Sequence, residues 1–369
     1  MKTCFLMNMA PKYVEPAYKL FDKELNVLWC FGSNDTDIKE MDHKLLKDVF
    51  VYKTNRFFGN AYYLKGALSL AFRKEIDSYI LIGEPAMITT WILPWLIKIF
   101  NPNKQIIFWT HGWYGKETKL ESFIKKMEFK LPNGGIFTYG NYARELMIKE
   151  GFDAGKLYPI HNSLSYDEQL AVRKELKETT VYSDYFGNDN PNLFFVGRLT
   201  PVKKLDQILR AMALCKNRGN DYNMTFVGGG EKAEELKQLA DRLGLQDSVW
   251  FYGPCYDEKE LSSLIYNADL CVAPGNIGLT AMHSMVFGTP CITHNDFPYQ
   301  MPEFEAIKDG LTGTFFKRND INDLAYKIDE WFKSFKDLRE QVRKACMDEI
   351  DKEWNPYYQI EVLKKGLNQ

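Results

Sequence analysis

Residues 192–219 read NLFFVGRLTPVKKLDQILRAMALCKNRG. The unbroken apolar run LFFV is what a strand buried on both faces looks like. Gly197 permits a tight turn after it. The stretch from Lys204 to Arg218 carries apolar residues at helical spacing and stops at Gly219, a helix terminator. The same unit then recurs. NMTFVGGG (223–230) leads into a helix over 231–245, SVWFYG (248–253) into one over 257–268, and DLCVAP (269–274) into one over 278–288, before the strand PCITH (290–294). Strand–helix alternation of this kind gives a doubly wound parallel sheet. INDLAYKIDEWFKSF and a final helix after Pro356 are amphipathic.

The first half repeats the pattern. The opening MKTCFLMNM is a first strand, and LNVLWCFG (25–32), SYILIGE (78–84), QIIFWTHG (105–112), GGIFTYG (134–140) and KLYPIHNS (156–163) are further buried strands. Residues 165–190 are charged and polar and end in the turn formers FGNDNPN, which reads as a connection carrying a helix over 167–177. Two doubly wound units bind ligands outside the carboxyl ends of their strands, so the two sets of strand ends are expected to face a central cleft.

Bulk properties narrow the class. A chain of 369 residues favours two domains, and 45% hydrophobic with 26% charged residues is ordinary for a globular protein. A net charge of −2 gives no footprint for nucleic acid. Seven scattered cysteines without a CxxC pair argue against zinc or a disulfide framework and fit a reducing cytoplasm. The N-terminus has too short an apolar run for a signal peptide. AMITTWILPWLIKIF (86–100) is shorter than the roughly 20 residues a spanning helix needs. Two readings stand: a buried helix, or a helix resting on a membrane surface with Trp91, Trp95 and Lys98 near the headgroups.

Several strand ends carry chemistry. Arg198 and Lys203 stand five positions apart around Pro201, and a planar guanidinium with a mobile ammonium suits a phosphate group. Read alone, they are equally consistent with two solvated cations beside a turn. FVGGGEKAEEL places glycines, Gly229 among them, between a strand and a helix, where backbone can approach a ligand closely. In VAPGNIGLTAMHSMVFGTP, the amides of Gly278, Leu279 and Thr280 begin a helix and offer a diphosphate site, with His283 one turn further on. His111 follows a strand and can bond a sugar hydroxyl, and Trp109, Trp113 and Tyr114 around it suit either sugar faces or a core. Asp35-Thr36-Asp37 has the spacing of a metal-holding DxD but lies in a polar loop and reads as a solvated turn, so no metal is expected.

In order, VGRLTPVKK, FVGGGEKAEEL, FYGPCYDEKELSSLIYNADLCVAP, GLTAMHSMVFGTPCI and MPEFEAIKDGLTG resemble glycosyltransferase family 4 over about residues 190–330. THG (110–112) and PIHNSL (159–164) extend the resemblance more loosely into the first half. The resemblance implies the α/β GT-B fold, two Rossmann-like domains facing a cleft. It implies an acceptor domain over 1–165, a connection over 166–190, a nucleotide-sugar domain over 191–345, and a C-terminal helix over 346–369 packing back on the first domain.

By the same resemblance Arg198 and Lys203, after Gly197, hold the donor diphosphate, and His111 lies near the transferred sugar. Pro254 and Cys255 lie where the base is contacted. The family's two glutamates are replaced by Gly275 and His283. Asn276 stands beside the first, and His283 retains the capacity to bind ribose. Gln300, Glu303 and Glu305 are candidates to supply the polar contacts that Gly275 lacks. The implied activity is metal-independent, retaining transfer from a nucleotide sugar, UDP in preference to GDP, to a glycan or lipid-linked saccharide. No cofactor or nucleic acid is implied. The setting is bacterial capsule, O-antigen or exopolysaccharide assembly at the inner face of the cell membrane. A sugar-nucleotide epimerase of the same fold and a degenerate nucleotide-sugar binder are the alternatives.

Overall fold

The computed structural model describes residues 1–34, 38–57 and 59–367; the DxD at 35–37 lies outside them. In chain order the first half holds β1 (Lys2–Met7), α1 (Glu15–Glu24), β2 (Asn26–Gly32), β3 (Val49–Arg56), β4 (Tyr62–Lys65), β5 (Ser78–Ile82), α2 (Ile88–Phe100), β6 (Gln105–Thr110), α3 (Lys119–Glu128), β7 (Gly135–Thr138), α4 (Asn141–Lys149) and β8 (Leu157–Pro159). The second half holds α5 (Tyr166–Arg173), α6 (Val181–Phe186), β9 (Asn192–Val196), α7 (Asp206–Asn217), β10 (Asn223–Val227), α8 (Ala233–Arg242), β11 (Val249–Gly253), α9 (Glu258–Asn267), β12 (Leu270–Ala273), α10 (Leu279–Val286), β13 (Cys291–His294), β14 (Gly313–Phe316), α11 (Ile321–Phe335), α12 (Arg339–Glu353) and α13 (Pro356–Leu367).

The chain divides into two units, Met1–Ser165 with Asn355–Gln369, and Tyr166–Trp354. In the first, the sheet order is β4-β3-β2-β1-β5-β6-β7-β8, parallel except for the β3–β4 hairpin at the edge. Alternation along β1 sends Cys4 and Leu6 to one face, where Leu93 and Ile97 of α2 and Phe129 after α3 pack. Phe5 and Met7 go to the other face, against Phe21 of α1 and Ile360 and Leu363 of α13. α13 is fixed there by polar contacts as well. Ser163 Oγ donates to Gln359 Oε1 at 2.6 Å, and Gln105 Nε2 donates to the Gly366 carbonyl at 2.9 Å. Gly366 allows the close approach, because a Cβ there would sit 2.6 Å from the Phe137 ring.

The second unit is an all-parallel sheet of order β11-β10-β9-β12-β13-β14. The winding reverses between β9 and β12, so their carboxyl ends frame the switch-point crevice. In the first unit the reversal falls between β1 and β5.

Several elements differ from the sequence reading. β3 and β4 were not anticipated: the apolar run of β3 stops at Tyr52, its one buried residue, and polar residues complete the strand. Segment 166–190 is part of the second unit and not a free connection: Tyr182 is buried and its hydroxyl donates to the Leu264 carbonyl at 2.6 Å, and the Thr179 N–H donates to Asn267 Oδ1 at 2.8 Å. α12 also stays with the second unit, burying Cys346 and Ile350, so the return to the first unit begins at Asn355 rather than at 346. α2 is buried along one face, with Leu93 and Ile97 inside, while Ile92, Trp95 and Ile99 on the other are exposed. Among the described residues no helix is long and apolar enough to cross a membrane.

Candidate functional site

The strand ends of the second unit converge on one loop assembly. Gly197 follows β9 at φ +144°, and its N–H donates to the Val227 carbonyl at 2.9 Å. A Cβ on Gly228 would lie 1.9 Å from the Gly197 carbonyl oxygen, and one on Gly230 would lie 2.4 Å from that of Leu199. The glycines after β10 are therefore needed for backbone to cross backbone. Gly229 faces Pro254, which follows β11, at 3.1 Å from its would-be Cβ to the ring. Beside them the Cys255 thiol contacts Glu260 Oε2 at 3.6 Å.

Lys203 threads inward at the switch point. Its Nζ donates to the Asn276 carbonyl at 2.7 Å, with Asn276 Oδ1 at 3.4 Å and the Ile277 carbonyl at 3.5 Å. Burial lowers its pKa; the Glu303 charge opposes that and the Arg198 charge adds to it. Arg198 is exposed, and its side chain makes no hydrogen bond or ion pair among the described residues. A half-buried, oriented ammonium and an uncommitted guanidinium thus stand within electrostatic reach of each other. Two cations tolerate that proximity at the cost of mutual repulsion, which an anion between them would relieve.

The loop after β12 completes the crevice. Gly278 caps α10 at φ +54°, ψ −146°, and the Thr280 hydroxyl donates to the Val196 carbonyl at 2.9 Å, tying the helix start to the end of β9. The amides of Gly278, Leu279 and Thr280 open α10, where no preceding turn supplies carbonyls, and the helix dipole favours an anion. Gln300 is consumed in holding this loop and does not supply the ligand contact expected of it. It is 3% exposed, its Oε1 accepts from the Ile277 N–H at 3.0 Å, and its Nε2 donates to Thr293 Oγ1 at 2.8 Å and the His294 carbonyl at 3.1 Å. Glu303 is buried and Glu305 half-buried on the following short helical turn.

His283 has a partner that local sequence does not reveal. Its Nε2 lies 3.1 Å from Glu258 Oε1, at the start of α9, and Gln169 Nε2 of α5 donates to the same oxygen at 3.1 Å. Burial pushes the Glu258 carboxyl up, but the hydrogen bonds from His283 and Gln169 prevail and hold it below its ordinary value. The preceding helix, α9, thus sets a carboxylate against the His283 ring.

In the first unit His111 follows β6, with Gly112 at φ +63° turning the chain. Its ring stacks on Tyr139 at 4.4 Å between centroids. Burial and the Lys125 charge lower its pKa to about 4, so the imidazole is neutral near pH 7. Its buried Nδ1 has no hydrogen-bond partner among the described residues. Trp109 and Trp113 are core residues, 5% and 3% exposed, and do not offer a sugar-binding face. A polar set missed by the sequence reading sits at this unit's own switch point: Glu84 after β5 accepts from the Tyr62 hydroxyl at 2.7 Å and from Asn8 Nδ2 at 3.5 Å. The available signal was a carboxylate placed directly after a buried apolar strand.

Residues 184–346 match the family model described as glycosyl transferases group 1. A D-inositol 3-phosphate glycosyltransferase of Mycobacterium sp. (strain KMS) is 31% identical over 206 residues, covering 51% of this chain and 42% of that protein. The putative glycosyltransferase EpsD of Bacillus subtilis (strain 168) is 29% identical over 150 residues, 40% of this chain and 38% of its own. The chain thus spans less than half the length of these curated relatives. Two solved structures align along its whole length. Lipopolysaccharide outer core galactosyltransferase WaaB in its apo form has a TM-score of 0.74 at 15% identity, covering 100% of this chain and 99% of that one. Anabaena Alr3699/HepE in complex with UDP has a TM-score of 0.74 at 15% identity, with 100% of both chains covered. The chain therefore has the GT-B fold, built from two Rossmann-like parallel-sheet units, and its residues 184–346 are similar to the group 1 glycosyl transferases.

Proposed function

We propose that this chain is a glycosyltransferase that moves a sugar from a nucleotide donor, UDP in preference to GDP, to a glycan or lipid-linked saccharide in bacterial surface-polysaccharide assembly. The observation that carries the reading is the switch-point crevice of the second unit. There the Arg198 side chain, unpaired among the described residues, the half-buried Lys203 ammonium and the opening amides of α10 gather positive potential at the ends of β9 and β12. The group 1 family match over the same residues and the UDP bound by a protein of the same fold support it.

In this reading the bond between the anomeric carbon and the diphosphate breaks as the acceptor oxygen bonds to that carbon on the same face, retaining configuration. Arg198, Lys203 and the amides of Gly278, Leu279 and Thr280 stabilise the charge gathering on the leaving diphosphate, an electrostatic effect that requires no metal. The acceptor proton passes to a diphosphate oxygen. Asn276, with its carbonyl against Lys203, occupies the place beside Gly275 from which a sugar hydroxyl can be bonded. The His283–Glu258 pair takes the ribose hydroxyls, and Gly229, Pro254 and Cys255 border the base. Neutral His111 bonds a hydroxyl of the transferred sugar.

The test is a panel of UDP- and GDP-sugars scored first by thermal stabilisation and then by transfer of labelled sugar to lipid-linked acceptors, with and without EDTA. Stabilisation by UDP-sugars and EDTA-insensitive transfer are expected. Turnover of donor in the absence of any acceptor, giving an epimer, would overturn the transfer reading.

A further inference from the structure

The carboxyl edge of the second sheet continues past the diphosphate crevice into another polar cluster. Consecutive lysines divide between the two places. Lys203 Nζ turns to the Asn276 carbonyl after β12, whereas Lys204 Nζ donates to Asn319 Oδ1 after β14. Among the described residues three that are not glycine have left-handed φ, and Lys204 (φ +50°) and Asn319 (φ +62°) are two of them. Backbone of this kind is disfavoured for a lysine and gathers where ligands are held. Arg318, next to Asn319, places its guanidinium 3.6 Å from the centroid of the Tyr299 ring, and its Nη1 donates to Asp296 Oδ2 at 2.9 Å.

His294 supplies the observation that points to a ligand. It ends β13 and is 2% exposed. Burial first, and then the Arg318 charge, hold its pKa down at about 4; the Lys204 charge adds to them and Asp296 opposes. The ring is therefore neutral near pH 7. Its Nδ1 accepts from the Asp296 N–H at 3.2 Å, which leaves Nε2 as the nitrogen that carries the proton. That N–H has no acceptor among the described residues, and neither do Arg318 Nη2 or the remaining hydrogens of Lys204. A buried donor left unmet is costly. One carboxylate, Asp296, thus faces two cations and an unmet N–H, and an oxyanion is the group that satisfies all three.

The position of the cluster indicates which oxyanion. The strand order is β11-β10-β9-β12-β13-β14, with neighbouring strands about 4.8 Å apart. A donor with its base at the β10 and β11 ends and its diphosphate between the β9 and β12 ends carries its sugar onward toward the β13 end. Gln300 links the two places, accepting from the Ile277 N–H in the diphosphate loop and donating to the His294 carbonyl. We propose that Lys204, His294 and Arg318 form a carboxylate subsite and that the transferred sugar is a uronic acid. Lys204 and Arg318 pair with the carboxylate, and the His294 Nε2–H bonds one of its oxygens. An uncharged sugar leaves all three unmet. The inference rests on the nucleotide-sugar reading of this unit.

Calorimetric titration tests it with UDP, UDP-glucose, UDP-galactose, UDP-glucuronate and UDP-galacturonate, for the parent chain, Lys204→Gly and Arg318→Gln. Lys204→Gly removes the ammonium and suits the left-handed backbone, so it is expected to melt no lower than the parent. The parent should bind one of the uronates at least tenfold more tightly than the matching neutral sugar. Each variant should lose about tenfold of that preference, the scale of a hydrogen bond to a charged group, with UDP affinity unchanged. Equal binding of uronate and neutral sugars by the parent, or a preference that both variants keep, would overturn the subsite and leave the donor reading standing. A chain that binds none of the five overturns both. Inorganic phosphate probes the other source of an oxyanion. If it raises the melting temperature of the parent and of neither variant, while the parent binds the four sugars equally, the cluster holds a free anion and the uronate assignment fails.

Discussion

The Gly275 N–H donates to the Lys203 carbonyl at 3.0 Å, and a Cβ on Gly275 would stand 2.1 Å from the Val202 carbonyl oxygen and 2.8 Å from the Lys203 Cα. The loop after β12 therefore lies directly on the backbone that presents Lys203. A glutamate at this position would displace that backbone.

Introducing a carboxylate at this position should accordingly fail. Gly275→Glu and Gly275→Ala are both expected to lower stability by about 1–3 kcal/mol through overpacking, since the obstructing atom is the Cβ they share. Both should weaken UDP-sugar binding by moving Lys203. Thermal unfolding and calorimetric titration check this, and a Gly275→Glu variant that binds donor more tightly at unchanged stability would contradict it.

Arg198 and Lys203 should separate by stability although they act on one phosphate group. Each alanine variant is expected to reduce transfer by roughly a hundredfold or more, the usual scale for losing a preorganised charge. Arg198→Ala removes an exposed, uncommitted guanidinium and should leave the melting temperature unchanged. Lys203→Ala strips the Asn276 carbonyl of its donor and should cost about 1–3 kcal/mol. Single-turnover kinetics beside melting curves distinguish the two.

The gathering of Arg198, Lys203, Gly229, Pro254 and the start of α10 at one sheet edge was legible in the sequence. In a parallel sheet every strand end carries its loop to the same edge, so reading the strands locates the loops. The Glu258–His283 contact was not legible, because it joins two helices 25 positions apart and no local period encodes it. α3, with Leu120, Phe123, Ile124 and Met127 exposed in one row, shows a different limit. Spacing tells which residues share a helical face, but it does not tell whether that face points in or out. The interior of the first unit is closed there by Phe129 and Leu131, just past the helix, and the row on the helix itself is left outside.

The Glu258–His283 pair gives a prediction that isolates one part of the donor. If the pair binds ribose, His283→Ala and Glu258→Gln should weaken UDP and UDP-sugar alike by about tenfold, near 1.4 kcal/mol. Affinity for inorganic diphosphate should be unchanged, because Arg198, Lys203 and the α10 amides are untouched. Calorimetry with the three ligands reads this directly. An equal loss for diphosphate would mean that the pair acts by shaping α10 and not by touching the nucleoside.

The pH dependence of stability follows from two buried groups of opposite sign in the first unit. Burial holds the Glu128 carboxyl up at about 8, against an ordinary value of 4.5. The folded chain then binds more protons than the unfolded chain between those values. Its stability contribution is intact at low pH and is lost as pH rises through that window. His111 is held down at about 4 by burial and the Lys125 charge, against an ordinary 6.5. There the unfolded chain binds more protons, so stability is intact above 6.5 and is lost as pH falls toward 4. His294, also held down at about 4 by burial and the Arg318 charge, adds to the acid side. Between about 5 and 6.5 the Glu128 and histidine effects oppose each other, and from there to about 8 Glu128 is the one of these three groups that still titrates. Glu128→Gln keeps the shape and removes the charge, so it should raise the melting temperature at pH 8.5 and change it little at pH 5. A Glu128→Gln variant that is destabilised equally at both pH values would show that the carboxyl is needed for its hydrogen bond from Thr90 and not held as a neutral acid.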